Sequence, residues 1–359
     1  ETGPMQSRTL AILALSAAIV VGAAVIVTGK RDDVSDADPA GKLVFPNLPG
    51  RIDGVARIEI ERNGEKFELA RDAAGHWTMP AKAGYPADFQ QVRRLALDMA
   101  NMRILEARTA SKALHADIDL DGSGKDQKAV RVALFGAQTE LFADALVGRT
   151  RFGRQGNAGD GTFVRRAEED QVWFVQGRVG VEREQAKWLE KRIVDVARER
   201  VAKAVIVTVD GERLEVSRAR HDQQDFDLAS VPADKKVKSA FDVNLVASAI
   251  EALDLEDVRK ADGLAFIPQR DFAEFTTFDG LIVRVEFAKD GADIWARLTA
   301  HHAPPAAPVE GDKLKKPDEV AAEAAQLDKR VHGWAYRLPA YKAEQMSRKI
   351  ADLVEDKGA

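Results

Sequence analysis

The sequence predicts an α+β fold: a tandem duplication of a mainly antiparallel sheet-plus-helix module, preceded by one transmembrane helix. Three observations lead there. Residues 55–71, VARIEIERNGEKFELAR, alternate apolar and polar side chains around Asn63 and Gly64, a pair that tolerates positive φ at both centres of a two-residue turn, so they form a hairpin. Residues 87–107 then place Phe89, Val92, Leu95, Ala96 and Met99 on one helical face, with Asp88 as N-cap and Gln91 at the third position. The same order returns from Val201. VAKAVIVTVDGERLEVSR repeats the hairpin around Asp210 and Gly211, and FDVNLVASAIEALDLEDVRKA repeats the helix. Ile58 answers to Val205, Ile60 to Val207, Phe67 to Leu214 and Leu69 to Val216, a shift of 147 (205 − 58). Asp88 answers to Asp242, Val92 to Val246, Ala96 to Ile250 and Met99 to Leu253, a shift of 154 (242 − 88). A repeat on this scale implies two copies of one module.

Composition bounds the function classes. A chain of 359 residues holds two ordinary domains, residues 43–200 and 201–359, each able to bury its own core. With 45% hydrophobic and 31% charged residues the body is a folded, soluble one, and a net charge of -5 provides no whole-molecule attraction to nucleic acid. The absence of cysteine removes disulfides, thiolate zinc sites, cysteine nucleophiles and a lipid-modified cysteine.

Residues 1–4 precede Met5 and read as an appended remnant, leaving 5–8 as a short N-terminal tail. Residues 9–28, TLAILALSAAIVVGAAVIVT, carry no charge, and a helix of that length spans about 30 Å, one hydrocarbon core. The unbroken run favours an uncleaved anchor over a signal peptide, whose apolar part is shorter. Flanking charges leave its orientation open, because Arg8 precedes the span while Lys30 and Arg31 follow it. Ala14, Ala18 and Gly22 recur every fourth residue. That stripe either lets a permease helix pack closely or belongs to an alanine-rich anchor with no partner. Residues 29–42 form a polar linker.

In the first half, Asp117, Asp119, Asp121 and Gly122 copy the start of a calcium loop, but Lys128 stands where the bidentate carboxylate belongs, which favours an acidic turn before a strand at 130–135. A phosphate loop at Gly124 and Lys125 is rejected, since Asp119 and Asp126 occupy its glycine and hydroxyl positions. Arg149, Arg151, Arg154, Arg165 and Arg166 sit among short glycine-punctuated strands. They either converge on an anionic headgroup or glycan, or line solvated strand edges and pair with acids. Residues 181–200 read as a closing helix with Trp188, Leu189, Ile193 and Val196 inward.

In the second half, Trp334, Ala335 and Tyr336 mirror Trp173, Phe174 and Val175, and the run 348–353 mirrors 192–196. Residues 301–330 have no counterpart in the first half. They hold a helix at 318–327 and a preceding stretch that is either a passive loop or a docking arm. The histidines, His301 and His302 included, fall in no ligand or nucleophile pattern, and the five tryptophans sit in patterned segments that read as core. No catalytic, cofactor or metal set emerges, so the expectation is a protein without enzymatic activity or cofactor.

These residues resemble a family, the membrane-anchored domain-of-unknown-function 4340 proteins found beside gliding-type ABC transporters. The matching features are the apolar span, the ribbon VARIEIERNGEKFELAR, the GHWTMP element with Asp88 ahead of its helix, the strand ending LFG, and the TFVRR and VWFV pair. The insertion at 301–330 departs from the family's compact pattern. The resemblance implies an extracytoplasmic, periplasmic body, held by one inner-membrane helix with a cytoplasmic N-terminus, that works with an ABC permease and, through it, the ATPase. Membrane lipid is the other expected partner, and a lipid or glycan the expected cargo. Two readings compete: an envelope hydrolase or glycan-processing enzyme with its site between the halves, and a structural tether.

Overall fold

The structure is a computed structural model and describes residues 39–153, 159–305, 311 and 313–358. It is α+β. β1 (Val55–Arg62) and β2 (Glu65–Arg71) form the expected hairpin, pairing Ile58 with Leu69 and Ile60 with Phe67. Asn63 and Gly64 take φ values of 52° and 79°, the left-handed geometry a two-residue turn requires. β3 (Trp77–Met79), β4 (Tyr85–Pro86), α1 (Phe89–Ala100), β5 (Ile104–Ala107), β6 (Val130–Gly136), β7 (Leu141–Arg151), β8 (Gly161–Arg166) and β9 (Val172–Gln176) follow. The nine strands make one antiparallel sheet in the order β4-β3-β2-β1-β6-β7-β8-β9-β5.

After β10 (Arg192–Val194), the second half runs β11 (Val201–Val207), β12 (Arg213–Ser217), β13 (Asp227–Leu228), β14 (Lys235–Val237), α2 (Ala240–Ala247), β15 (Leu253–Asp254) and β16 (Asp257–Lys260). It continues with β17 (Phe272–Thr277), β18 (Leu281–Asp290), β19 (Asp293–His302), α3 (Pro317–Val331), β20 (Trp334–Arg337), α4 (Ala340–Gln345), α5 (Ile350–Leu353) and β21 (Val354–Asp356). Its eight-stranded sheet is ordered β13-β12-β11-β17-β18-β19-β20-β16, the order of the first sheet strand for strand once β4 is set aside. β10 with β15 and β14 with β21 form two small ribbons.

Two alignments change. Both first strands carry a bulge near their start, between Val55 and Arg57 and between Val201 and Lys203, so Ile58 answers to Ala204 and Ile60 to Ile206, a shift of 146 (204 − 58). Val205 and Val207 therefore face the other side of the sheet, because a one-residue slip inverts every side chain. The extra residue lies in the turn: Arg62 pairs with Glu65, whereas Val207 pairs with Arg213. In the helices, Asp88 caps α1 by accepting from the amides of Gln90 and Gln91, and the cap of α2 is Ser239, not Asp242. The shift is 151 (239 − 88), matching Val92, Leu95, Ala96 and Met99 to the buried Val243, Val246, Ala247 and Ile250. A three-residue error is nearly one helical turn and keeps the same face, so periodicity alone does not expose it. Phe89, expected inward, is the first residue of α1 and is 53% exposed.

Residues 181–200 are not a helix. They contain a 3-10 turn at Gln185–Trp188, the strand β10 and a second 3-10 turn at Arg198–Arg200. Trp188, Leu189, Ile193 and Val196 are buried as expected, but the backbone finds its partners in both halves. Trp188 O accepts from Asp88 N (2.7 Å), Glu190 N donates to Pro86 O (3.0 Å), Lys191 O accepts from Leu255 N (2.9 Å) and Val196 N donates to Ile250 O (3.2 Å). Partners on two sides satisfy buried amides without helical bonds, and one helix would have left those of its neighbours unmet. The short α5 therefore does not repeat β10. One hydrophobic cluster runs through both sheets and this junction segment, from Val44 to Val354.

The insertion is ordered over its helix, which is longer than expected at both ends. Pro317 occupies the first turn, and Val320, Ala324, Leu327 and Val331 are buried as one stripe, packed on β19 and joined to the same core. Among the described residues no helix is long and apolar enough to cross a membrane. The expected anchor at 9–28, with Ala14, Ala18 and Gly22, lies outside the described residues.

Trp188 is fully buried where the halves meet, so Trp188→Ala is expected to cost about 3–5 kcal/mol in urea unfolding. Because the core is continuous, tryptophan fluorescence and circular dichroism should still report one coincident transition; two separated transitions would show that the halves fold independently.

Candidate functional site

On the inner face of β1, Ile58 and Ile60 are buried, and the next residue in the alternation is Arg62. There the core ends, and Arg62 lines a cleft of about 670 Å³ at the junction of the two halves. Asn63, Glu65 and Phe67 of the hairpin line it, Phe67 being buried. A 3-10 turn at Pro80–Lys82 brings in Lys82, and the positive φ of Ala83 (53°) and Gly84 (77°) then swings the chain back into β4. The junction segment contributes Arg183, Glu184 and Gln185, and the second half contributes Asp257 and Arg337, paired across β16 and β20.

Lys82 Nζ reaches Asp257 Oδ1 at 2.5 Å and ties the first half to the second across the cleft. Next to these groups in sequence, Tyr85 packs edge-on against Trp334 (4.9 Å) and Tyr336 (6.2 Å), another contact between halves. The Tyr85 hydroxyl donates to Glu190 O (3.2 Å), and burial pushes its pKa up to about 12, so the ring is neutral and serves packing. Arg337 lies 3.6 Å from Glu256, while its Nε and that of Arg62 are buried without a hydrogen-bond partner. Among the described residues, neither Arg62 nor Arg183 has a carboxylate within 4.0 Å. The cleft carries four basic side chains, Arg62, Lys82, Arg183 and Arg337, against the acids Glu65, Glu184 and Asp257.

The arginines singled out in the sequence serve backbone carbonyls and rings. Arg149 donates to Asp117 O, and Arg151 lies over the Phe174 ring at 4.4 Å. Arg165 donates to the carbonyls of Leu120 (3.3 Å), Ala167 (3.0 Å) and Glu169 (3.1 Å), and burial lowers its pKa. Arg166 holds Val44 O (2.6 Å) and pairs with Glu169 (2.6 Å). Arg154 lies outside the described residues. Lys128 pairs with Asp119 (3.5 Å) and donates its amide to Asp121 (3.1 Å), so the acidic turn is closed by its own lysine. His301 and His302 are consecutive on β19 and project to opposite faces.

None of the cleft residues was picked out from the sequence as a binding residue, Asn63 and Phe67 being read as turn and ribbon positions, since they are scattered from position 62 to 337. One signal was available: Arg62 is a charge at an inward position of a strand whose preceding inward residues are isoleucines.

A second charged cluster is structural. Arg200 donates through Nε to Asp279 (2.9 Å) and through both terminal nitrogens to Glu323 of α3 (2.9 Å each). Asp279 also accepts from the Thr277 hydroxyl and from Lys315 N (3.0 Å). The cluster fastens α3 to the turn between β17 and β18.

The fold and cleft define a class: an α+β body of two sheet-and-helix parts joined through one core, with a cationic cleft where they meet. Over residues 77–269 the chain matches the family described as Domain of unknown function (DUF4340), and it belongs to that family. The matched stretch takes in α1, the whole junction segment and α2, and with them Lys82, Arg183 and Asp257. No curated protein and no solved structure matches the chain.

Asp279 and Arg200 have side chains only 1% and 6% exposed, so Asp279→Ala leaves Arg200 Nε without its acceptor and the guanidinium with Glu323 alone, and is expected to cost about 1–3 kcal/mol in chemical denaturation. Burial opposes ionisation of Asp279 and Glu323, but Arg200 outweighs it and both carboxyls lie below their ordinary values of 3.8 and 4.5. Their contribution is therefore complete above those ordinary values and is lost as pH falls through the depressed folded ones. Stability measured from pH 6 downward should show an acid-side loss in the parent protein that is smaller in Asp279→Ala.

Proposed function

We propose that this protein is a non-catalytic, membrane-anchored, extracytoplasmic accessory subunit of an ABC-type transport system, acting in export or envelope assembly. The observation that carries this reading is the way both halves share one core and leave a charged cleft at their junction, framed by the Lys82 and Asp257 contact. Groups held by a rigid frame on two sides suit recognition. Resemblance of the sequence to proteins that work beside gliding-type permeases supplies the transporter context. The uncharged run at 9–28 provides the anchor, with its N-terminus cytoplasmic and the body periplasmic.

The two halves are also read as descendants of one duplicated module. The shared strand order and the matching first-strand bulges support that history.

Purification of the full chain from native membranes in mild detergent is expected to bring down an ABC permease with its ATPase. A solitary protein that turns over lipid or glycan would replace this reading with an envelope enzyme, and a solitary inert one with a tether.

A further inference from the structure

The geometry points to a phosphoryl-binding site in the junction cleft, formed by the guanidinium groups of Arg62, Arg183 and Arg337. It rests on the reading of this cleft as a recognition site and names the class of ligand. Among the cleft's charges Lys82 and Asp257 neutralise each other at 2.5 Å, and Glu184 lies 3.7 Å from Lys187. Arg62 and Arg183 are then left without a carboxylate within 4.0 Å among the described residues, beside Arg337, whose Nε has Glu256 at 3.6 Å, while Glu65 and Glu184 are the other acids of the lining. A chain with a net charge of -5 has no general excess of cations, so this concentration is local.

The donors are also short of acceptors. Nε of Arg62 and Nε of Arg337 are buried without a hydrogen-bond partner, and the two side chains, from different halves, line one cleft. A guanidinium presents a planar fork of N–H donors that matches phosphate oxygens two at a time. The three side chains come from β1, from the junction segment and from β20 and line one volume, and a phosphoryl group offers such forks more acceptor oxygens than a carboxylate does. A volume of about 670 Å³ leaves room for the small polar body that bears the phosphoryl group.

The same chemistry is offered by a soluble phosphate compound and by a phospholipid headgroup. Full-length protein in phosphatidylcholine nanodiscs should be titrated calorimetrically with inorganic phosphate and with glycerophosphoglycerol, the acyl-free phosphodiester headgroup, at constant ionic strength. Saturable binding of either probe is expected, weakened at least tenfold by Arg62→Gln and Arg183→Gln and less by Arg62→Lys, which keeps the charge and loses the fork. Arg213→Gln, on β12 and paired with Glu215, should bind as the parent does. Thermal denaturation of each variant checks folding. Preference for inorganic phosphate assigns a soluble ligand, and preference for the diester assigns a lipid headgroup. Binding of neither probe, or equal weakening by Arg213→Gln, overturns the site. Copurification of a permease does not depend on these titrations, so a complex that forms while neither probe binds removes this inference and leaves the accessory role standing.

Discussion

The structure depends on the segment between the two sheets having no core of its own. Residues 177–200 bury Val179, Trp188, Leu189, Ile193, Val194 and Val196 in a cluster whose other members come from both halves. Their amides and carbonyls bond to Pro86 and Asp88 on one side and to Ile250 and Leu255 on the other. Apolar burial supplies the driving force, and the two-sided hydrogen bonding sets the relative position of the sheets. Removing either half would leave this segment with unmet polar groups and an exposed tryptophan.

That constraint explains where the cleft lies. The inner face of β1 is apolar at Ile58 and Ile60 and becomes charged at its end, where Arg62 succeeds Ile60, and Asp257 opens β16 just before the buried Val258. Charges at those positions remain partly solvated while their backbone is held by the sheet, so the groups are placed without the full cost of burial. The halves have diverged around this shared plan. The second carries α3 between β19 and β20, fastened by Arg200, whereas the first joins β8 to β9 by a short turn and covers part of its outer face with Ile118 and Leu120.

Local features were legible from the residues themselves. Asn63 and Gly64 announce a two-residue turn, Asp88 announces a helix start, and the alternation through Ile58, Ile60, Phe67 and Leu69 announces the buried face of a ribbon. Each depends on side chains within a few positions, where sterics and hydrogen bonding act directly. The repeat was legible in outline and wrong in register, because a single added turn residue or a three-residue helical offset preserves the apolar pattern. The junction segment was misread for a related reason: four inward apolar residues look the same whether their amides bond to one another or to two neighbouring sheets.

The cleft and the Arg200 cluster were out of reach because their members are distant in sequence, Arg200 from Asp279 and Glu323 and Arg62 from Arg337. The sequence by itself determined the class of fold, the principal hairpins, the cap of α1 and most of the residues that avoid water, all consequences of backbone sterics and hydrophobic patterning over short spans. Only the tertiary structure decided the register between the copies, the extended path of the junction and which charges face one another. Those depend on contacts between segments far apart in the chain, and no local preference encodes the distance between them.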